Sequence, residues 1–123
     1  MKDENEKPAD LKCRTRQFAM RIIRLYSSLP RAVVAQVIGR QMLRAGTSVG
    51  AHHREGIRSR SDAEFVSKLE GGLQELEETG YWIELLVDAE IVPEPRLKDL
   101  MIEIDELTPI LTRCVKKTKQ RMG

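Results

Sequence analysis

The chain has 123 residues, about one domain's worth, and its 21 lysines and arginines against 19 aspartates and glutamates leave a net charge of only +2. Apolar residues, at 41%, suffice for a core and exclude a disordered chain, while aromatics at 4% and the absence of alternating β-rich runs or glycine-spaced strand patterns point to an all-α class. No apolar run nears the roughly 18 residues of a membrane span, the polar first ten residues are not a secretory signal, and two cysteines fit a cytoplasmic protein with reduced thiols.

Residues 1–10 read as a flexible tail and 11–121 as one bundle domain. A first helix is expected over about 9–28, with Leu11, Phe18, Ile22, Leu25 and Leu29 at helical spacing. A second, about 31–54, carries Val34, Ile38, Met42, Ala45 and Val49 as its core stripe. Beside that stripe runs another of small residues, Ala32, Ala35, Gly39, Leu43, Gly46 and Gly50. Three helix-interior glycines cost about 1 kcal/mol each relative to alanine, so close approach of another helix is expected along this line. Two partners fit: a helix of the same bundle, or a neighbouring subunit. The second is favoured, because the two stripes together cover roughly 200° of the helix, wider than a bundle core usually takes.

The third helix opens on Ser61-Asp62-Ala63-Glu64, a capping-box pattern, and runs through Phe65, Leu69, Leu73, Leu76, Ile83 and Val87. Gly71-Gly72 in its middle predicts a close contact or a bend. Its last turns, with Tyr81, Trp82, Leu85 and Leu86, are apolar nearly all round, as expected of a surface covered by a second subunit. A fourth helix follows Pro93 through Leu97, Leu100, Ile104, Leu107, Leu111 and Val115. Its first half is acidic and its end basic, matching the helix dipole. Four amphipathic helices on short loops predict an antiparallel, up-down-up-down four-helix bundle.

Charge is divided along the chain. Residues 1–60 carry 13 basic and 5 acidic groups, whereas residues 61–123 carry 8 and 14. Between residues 12 and 60, Glu55 is the only acid. Arg14, Arg21 and Arg24 fall within about 80° of one another on the first helix. Arg40, Arg44 and Arg54 line the polar face of the second, and Arg58 and Arg60 follow in the loop. These eight arginines are the candidate nucleic-acid contacts, since guanidinium groups bind phosphates bidentately. The rival reading pairs them with the acidic line Glu70, Glu77 and Glu84, within or between subunits. Only Phe18 and Tyr26 are aromatic in this half, too few for a base-stacking platform.

Two stretches resemble a known family. Gln41-Met42-Leu43-Arg44-Ala45-Gly46-Thr47-Ser48-Val49-Gly50-Ala51-His52-His53-Arg54-Glu55 is similar to its helix-two signature. Phe65, Lys68-Leu69 and Glu75 through Leu86 are similar to its helix-three signature. The family is the bacterial four helix bundle proteins, or 23S rRNA intervening-sequence proteins, and the resemblance covers roughly residues 11–118. It departs at His52, where the family commonly has asparagine. The resemblance implies a homo-oligomer, specifically a ring-like homopentamer, with no established catalysis. A related group binds nucleic acid and a reverse transcriptase in diversity-generating retroelements, which implies RNA or DNA as a partner here.

No enzyme chemistry is expected. Adjacent His52 and His53 point about 100° apart and cannot share a metal ion from one helix. Nucleotide-binding glycine loops and HExxH spacing are both absent. Cys13 and Cys114 fall at the same end of the expected bundle, without a partner motif, and read as inert thiols. No cofactor or metal is therefore expected. Two functions stay open: an oligomeric RNA- or DNA-binding accessory protein, and an oligomeric protein-interaction scaffold that binds no nucleic acid.

Overall fold

The computed structural model describes residues 8–123, which form four α-helices: α1 (Pro8–Ser27), α2 (Val33–Ile57), α3 (Asp62–Asp88) and α4 (Glu94–Met122). Residues 1–7 of the expected tail lie outside the described residues, and Pro8–Asp10 already belong to α1. The described residues hold no strand, and none of their helices is long and apolar enough to cross a membrane.

Close contacts fix the direction of each helix. Gly50 lies beside Thr15, Gly46 beside Ile22, and Gly39 beside Leu29 and Tyr26, so α2 runs antiparallel to α1. Gly56 meets Leu69 and Phe65 while Arg44 reaches Glu75 and Glu78, so α3 returns antiparallel to α2. Arg121 bonds Asp62 and Lys119 bonds Glu70 across α3 and α4, and Arg14 reaches Glu103 across α1 and α4. The helices therefore pack in the cyclic order α1, α2, α3, α4, and the α1–α2 and α3–α4 faces lie on opposite sides.

The core is filled by Phe18, Ile22, Met42, Leu76, Ile83 and Leu107, each at most 1% exposed. Burying side chains of this size stabilises by about 1.5–3 kcal/mol each. A smaller cluster of Val66, Leu69 and Val115 closes one end, with Phe65 and Cys114 packed against it.

The structure corrects three sequence expectations. The glycine line of α2 is occupied by α1 of the same chain. A methyl group added at Gly46 would stand 2.8 Å from Ile22 Cγ1, and one at Gly39 would stand 2.6 Å from Leu29 Cδ1. Gly39, Gly46 and Gly50 are thus intramolecular packing residues and not a subunit surface, and the close helix approach offsets their cost. Leu43 beside them is half-buried against the core. Leu86 is fully buried in the core, so its apolar character also needs no second subunit. Finally, Val34 is 60% exposed while Ala35 is buried. The α2 core stripe begins one residue, hence about 100°, away from the expected position.

Local signals account for the ends. Ser61 caps α3, its hydroxyl accepting a hydrogen bond from the Glu64 N–H at 3.1 Å. The α3 C-terminus closes through N–H donations from Glu90 to the Val87 carbonyl and from Ile91 to the Leu86 carbonyl, with Glu90 in the left-handed region at φ 58°. Pro109 sits inside α4 on the solvent side, where its ring removes the hydrogen bond to the Asp105 carbonyl.

Candidate nucleic-acid interface

The eight candidate arginines divide into four settings. Arg14 and Arg44 are neutralised within the chain. Arg14 Nε donates to Glu103 at 2.8 Å and its Nη2 to Glu106 at 2.7 Å. Arg44 donates to Glu75 at 3.2 Å and Glu78 at 2.6 Å. Both belong to the packing of the bundle, and the expectation that they are free phosphate contacts is corrected. The partners differ from the acidic line read in the sequence: Arg44 takes Glu75 and Glu78, and Glu70 is taken by Lys119 at 3.0 Å. Glu77 and Glu84 form no ion pair among the described residues.

The Arg44 network is built from α2 and α3 side chains. Glu78 also accepts the indole N–H of Trp82 at 3.0 Å. That bond, with the Arg44 guanidinium, holds the Glu78 carboxyl below its ordinary pKa. The Glu78 and Glu75 carboxylates in turn raise that of Arg44. Trp82 is thereby pinned half-buried against the core, while Tyr81 beside it is 53% exposed and Leu85 half-buried. The expected contact at Gly71-Gly72 is the His52 imidazole. A methyl at Gly71 would stand 2.9 Å from its Cε1 and Nδ1, and His52 Nε2 lies 3.8 Å from Glu75. His53 is buried, and burial, followed by the nearby Arg54 charge, lowers its pKa below the ordinary histidine value. The two rings therefore occupy different environments. No group of three or more histidine, cysteine or acidic side chains fit for a metal ion occurs among the described residues. Neither cysteine is in a disulfide; Cys13 is exposed and Cys114 half-buried.

Six of the eight arginines, Arg21, Arg24, Arg40, Arg54, Arg58 and Arg60, make no ion pair among the described residues. Arg40 and Arg54 are exposed along α2. Arg58 is exposed at the α2 C-terminus, and Arg60 follows in the loop on the wall of a hollow shared with Lys117 and Arg121. Arg21 and Arg24 gain a partner that the sequence reading missed. With Arg96 of α4 they line a groove of about 310 Å³ between α1 and α4, floored by Leu25, Leu97 and Leu100. Arg96 donates to the Ser28 hydroxyl at 2.6 Å, which aims its guanidinium without neutralising it. Asp99 is the one carboxylate on the wall. Arg96 lies in the acidic half of the sequence, so charge counting passes over it. The antiparallel register of α1 and α4, started by Pro93 and Pro95, is the signal that places it beside Arg24.

These features define an all-α helical-bundle protein with an arginine-lined groove on one seam. The chain belongs to the 23S rRNA-intervening sequence protein family, whose model matches residues 9–113. It is similar to a crystal structure of a protein of unknown function from the S23 ribosomal protein family of Bacteroides thetaiotaomicron. The two are 34% identical over 94% of this chain and 99% of that one, with a TM-score of 0.82. No match is found among functionally curated proteins.

Proposed function

We propose that this protein is a non-catalytic, self-associating accessory protein that holds the phosphate backbone of RNA or DNA. The observation that carries the reading is the convergence of Arg21, Arg24 and Arg96 on one groove with a single carboxylate among them. Three guanidinium groups present paired donors to phosphate oxygens. Such contacts position a backbone and read no base edges, so binding is indifferent to sequence and sensitive to salt. The family's association with 23S rRNA makes RNA the first ligand to test. The chain offers no exposed aromatic row for stacking bases, which favours structured or duplex RNA over an extended single strand.

The test is fluorescence anisotropy with duplex and single-stranded RNA and DNA across a salt series. Replacing Arg21, Arg24 and Arg96 together with alanine should lower affinity for all sequences alike. It should also flatten the log–log salt dependence by about 2 to 3, since each lost contact removes about 0.7–0.9 from the slope. An unchanged slope, or no binding by the parent protein at low salt, refutes the reading. The scaffold without nucleic acid draws its support from Arg14 and Arg44, whose charge is spent inside the bundle. It predicts no binding at any salt.

A further inference from the structure

The flank of α4 that faces α1 is basic at both ends and acidic between them. At one end lies the groove of Arg21, Arg24 and Arg96. At the other, Arg60 and Lys117 stand on the wall of a hollow of about 510 Å³ lined also by Ser59 and Ser61. Arg14 reaches Glu103 and Glu106, and α1 starts at Pro8, less than two turns earlier, so it stops short of Lys117 and leaves that end open. Arg60 and Lys117 are exposed and form no ion pair among the described residues, whereas Arg121 beside them is bonded to Asp62. Lys117 lies 21 residues along α4 from Arg96, which sets the two ends about 31 Å apart and within about 60° of each other around the helix.

Between the ends the sign reverses. Asp10 and Glu103 line a middle hollow of about 430 Å³ with Arg14, and Glu106 accepts from the Arg14 Nη2 at 2.7 Å. Three carboxylates thus accompany one arginine, with Arg21 at the border toward the groove.

This spacing and alternation fit a duplex and separate its two forms. A double helix lying along the seam returns the same strand to the protein once per turn, about 34–36 Å in B-form DNA and less in A-form RNA. In the A-form the major groove is narrow, so the phosphates on its two edges gather into one ridge. The wide, shallow minor groove then separates successive ridges. Two such ridges rest on the two basic ends, and the minor groove lies over the acids. That groove displays 2′-hydroxyls, whose O–H groups donate to carboxylates. B-form DNA has the reverse proportions, a wide major groove beside a narrow minor one. Its second strand would cross the acidic middle and set phosphate against Glu103 and Glu106.

We infer that this flank is a cradle for A-form duplex RNA, held at both ends across one minor groove. The inference rests on the phosphate-binding reading above and names the form and minimum length of the ligand. Lys117, from the acidic half of the sequence, joins Arg60 as the second anchor.

The test is fluorescence anisotropy of the full chain with RNA duplexes of about 8 and 16 bp, below and above one helical turn of roughly 10 bp. DNA duplexes and single-stranded RNA of the same sequences complete the panel. The parent should bind the longer RNA duplex about tenfold more tightly than the shorter one, the longer DNA or the single strand. Arg60→Ala with Lys117→Ala alters two exposed side chains outside the packing, so the bundle stays folded. This pair should weaken the longer RNA duplex about tenfold, flatten its log–log salt dependence by about 2, and leave the shorter duplex within about twofold of the parent. If the alanine triple at Arg21, Arg24 and Arg96 loses affinity while the Arg60 and Lys117 pair binds as the parent does, phosphate binding at the groove stands and the two-ended cradle is overturned. Equal affinity for the two RNA lengths, for RNA and DNA, or for duplex and single strand overturns it likewise. A parent that binds no nucleic acid at low salt overturns both readings.

Discussion

The same substitution, glycine to alanine, should have opposite effects at Gly46 and Gly80. Both residues lie inside helices, where alanine is favoured by about 1 kcal/mol. At Gly80 the new methyl meets nothing nearer than Ile104 Cδ1 at 4.0 Å, an ordinary contact, so the full gain of about 1 kcal/mol is expected. At Gly46 the methyl would stand 2.8 Å from Ile22 Cγ1, 2.9 Å from its Cγ2 and 3.2 Å from its Cβ. Carbon atoms rest at about 3.5–4.0 Å, so these atoms must part by up to about 1 Å. Ile22 cannot turn aside, because it is fully buried and β-branched, with one strongly preferred rotamer in a helix. Relief must come from α1 moving off α2, against the contacts at Thr15 and Leu29. Overpacking of this kind costs about 1–3 kcal/mol, leaving a net loss of up to about 2 kcal/mol at Gly46.

Urea unfolding followed by circular dichroism measures both variants. Protomer concentration must be held fixed, because association adds to apparent stability. The two should differ by about 1–3 kcal/mol, with Gly80→Ala above the parent and Gly46→Ala at or below it. If Gly46 faced a neighbouring subunit, Gly46→Ala would instead stabilise the dilute protein as Gly80→Ala does and weaken only its assembly. Equal stabilisation by the two substitutions refutes the packing argument.

The remaining expectations follow from single sites. His53 is buried with its pKa lowered, so the unfolded chain takes up its proton first; stability should be full above the ordinary histidine pKa near 6.5 and fall as pH drops through it. His53→Met should flatten that slope, as seen in melting temperatures between neutral and mildly acidic pH; an identical slope refutes the assignment to His53. Glu90 holds a left-handed conformation at φ 58°, so Glu90→Gly should raise stability by about 1 kcal/mol in the same urea assay, and a loss would contradict the backbone argument. The alanine triple at Arg21, Arg24 and Arg96 completes the set.

The four helices were legible because their apolar residues recur with the helical period and their ends carry strong local signals. Ser61 with Glu64 marked the start of α3, and Pro93 the start of α4. What could not be read was which of two adjacent faces meets which neighbour. The second stripe of α2 predicted a close helix contact, and the contact exists. Nothing local separates α1 of the same chain from a helix of another, and only the seating of Gly46 on Ile22 decides it. Val34 and Ala35 show the same limit: both are small and apolar, and a shift of one residue exchanges core for solvent. Pro109 is a breaker by composition, yet α4 continues through it because Leu107, Ile110 and Leu111 are buried on either side.

The arginines show why charge counted along a chain is a poor map of charge in space. The first half looks like one basic surface, yet α1 has a neighbour on each flank and sends its arginines both ways. Arg14 is spent on Glu103 and Glu106 of α4, and Arg21 and Arg24 turn to the same seam, where they meet Arg96. Arg16, five residues before Arg21, lies about 140° away around the helix and is exposed to solvent. Phosphate binding and pairing with acids therefore compete in the sequence and need not compete in the fold. A backbone phosphate would meet the α1–α4 seam, whereas Arg14 and Arg44 are already spent on acids of the same bundle. A bundle that spends one set of arginines on its own packing can still offer the other to nucleic acid.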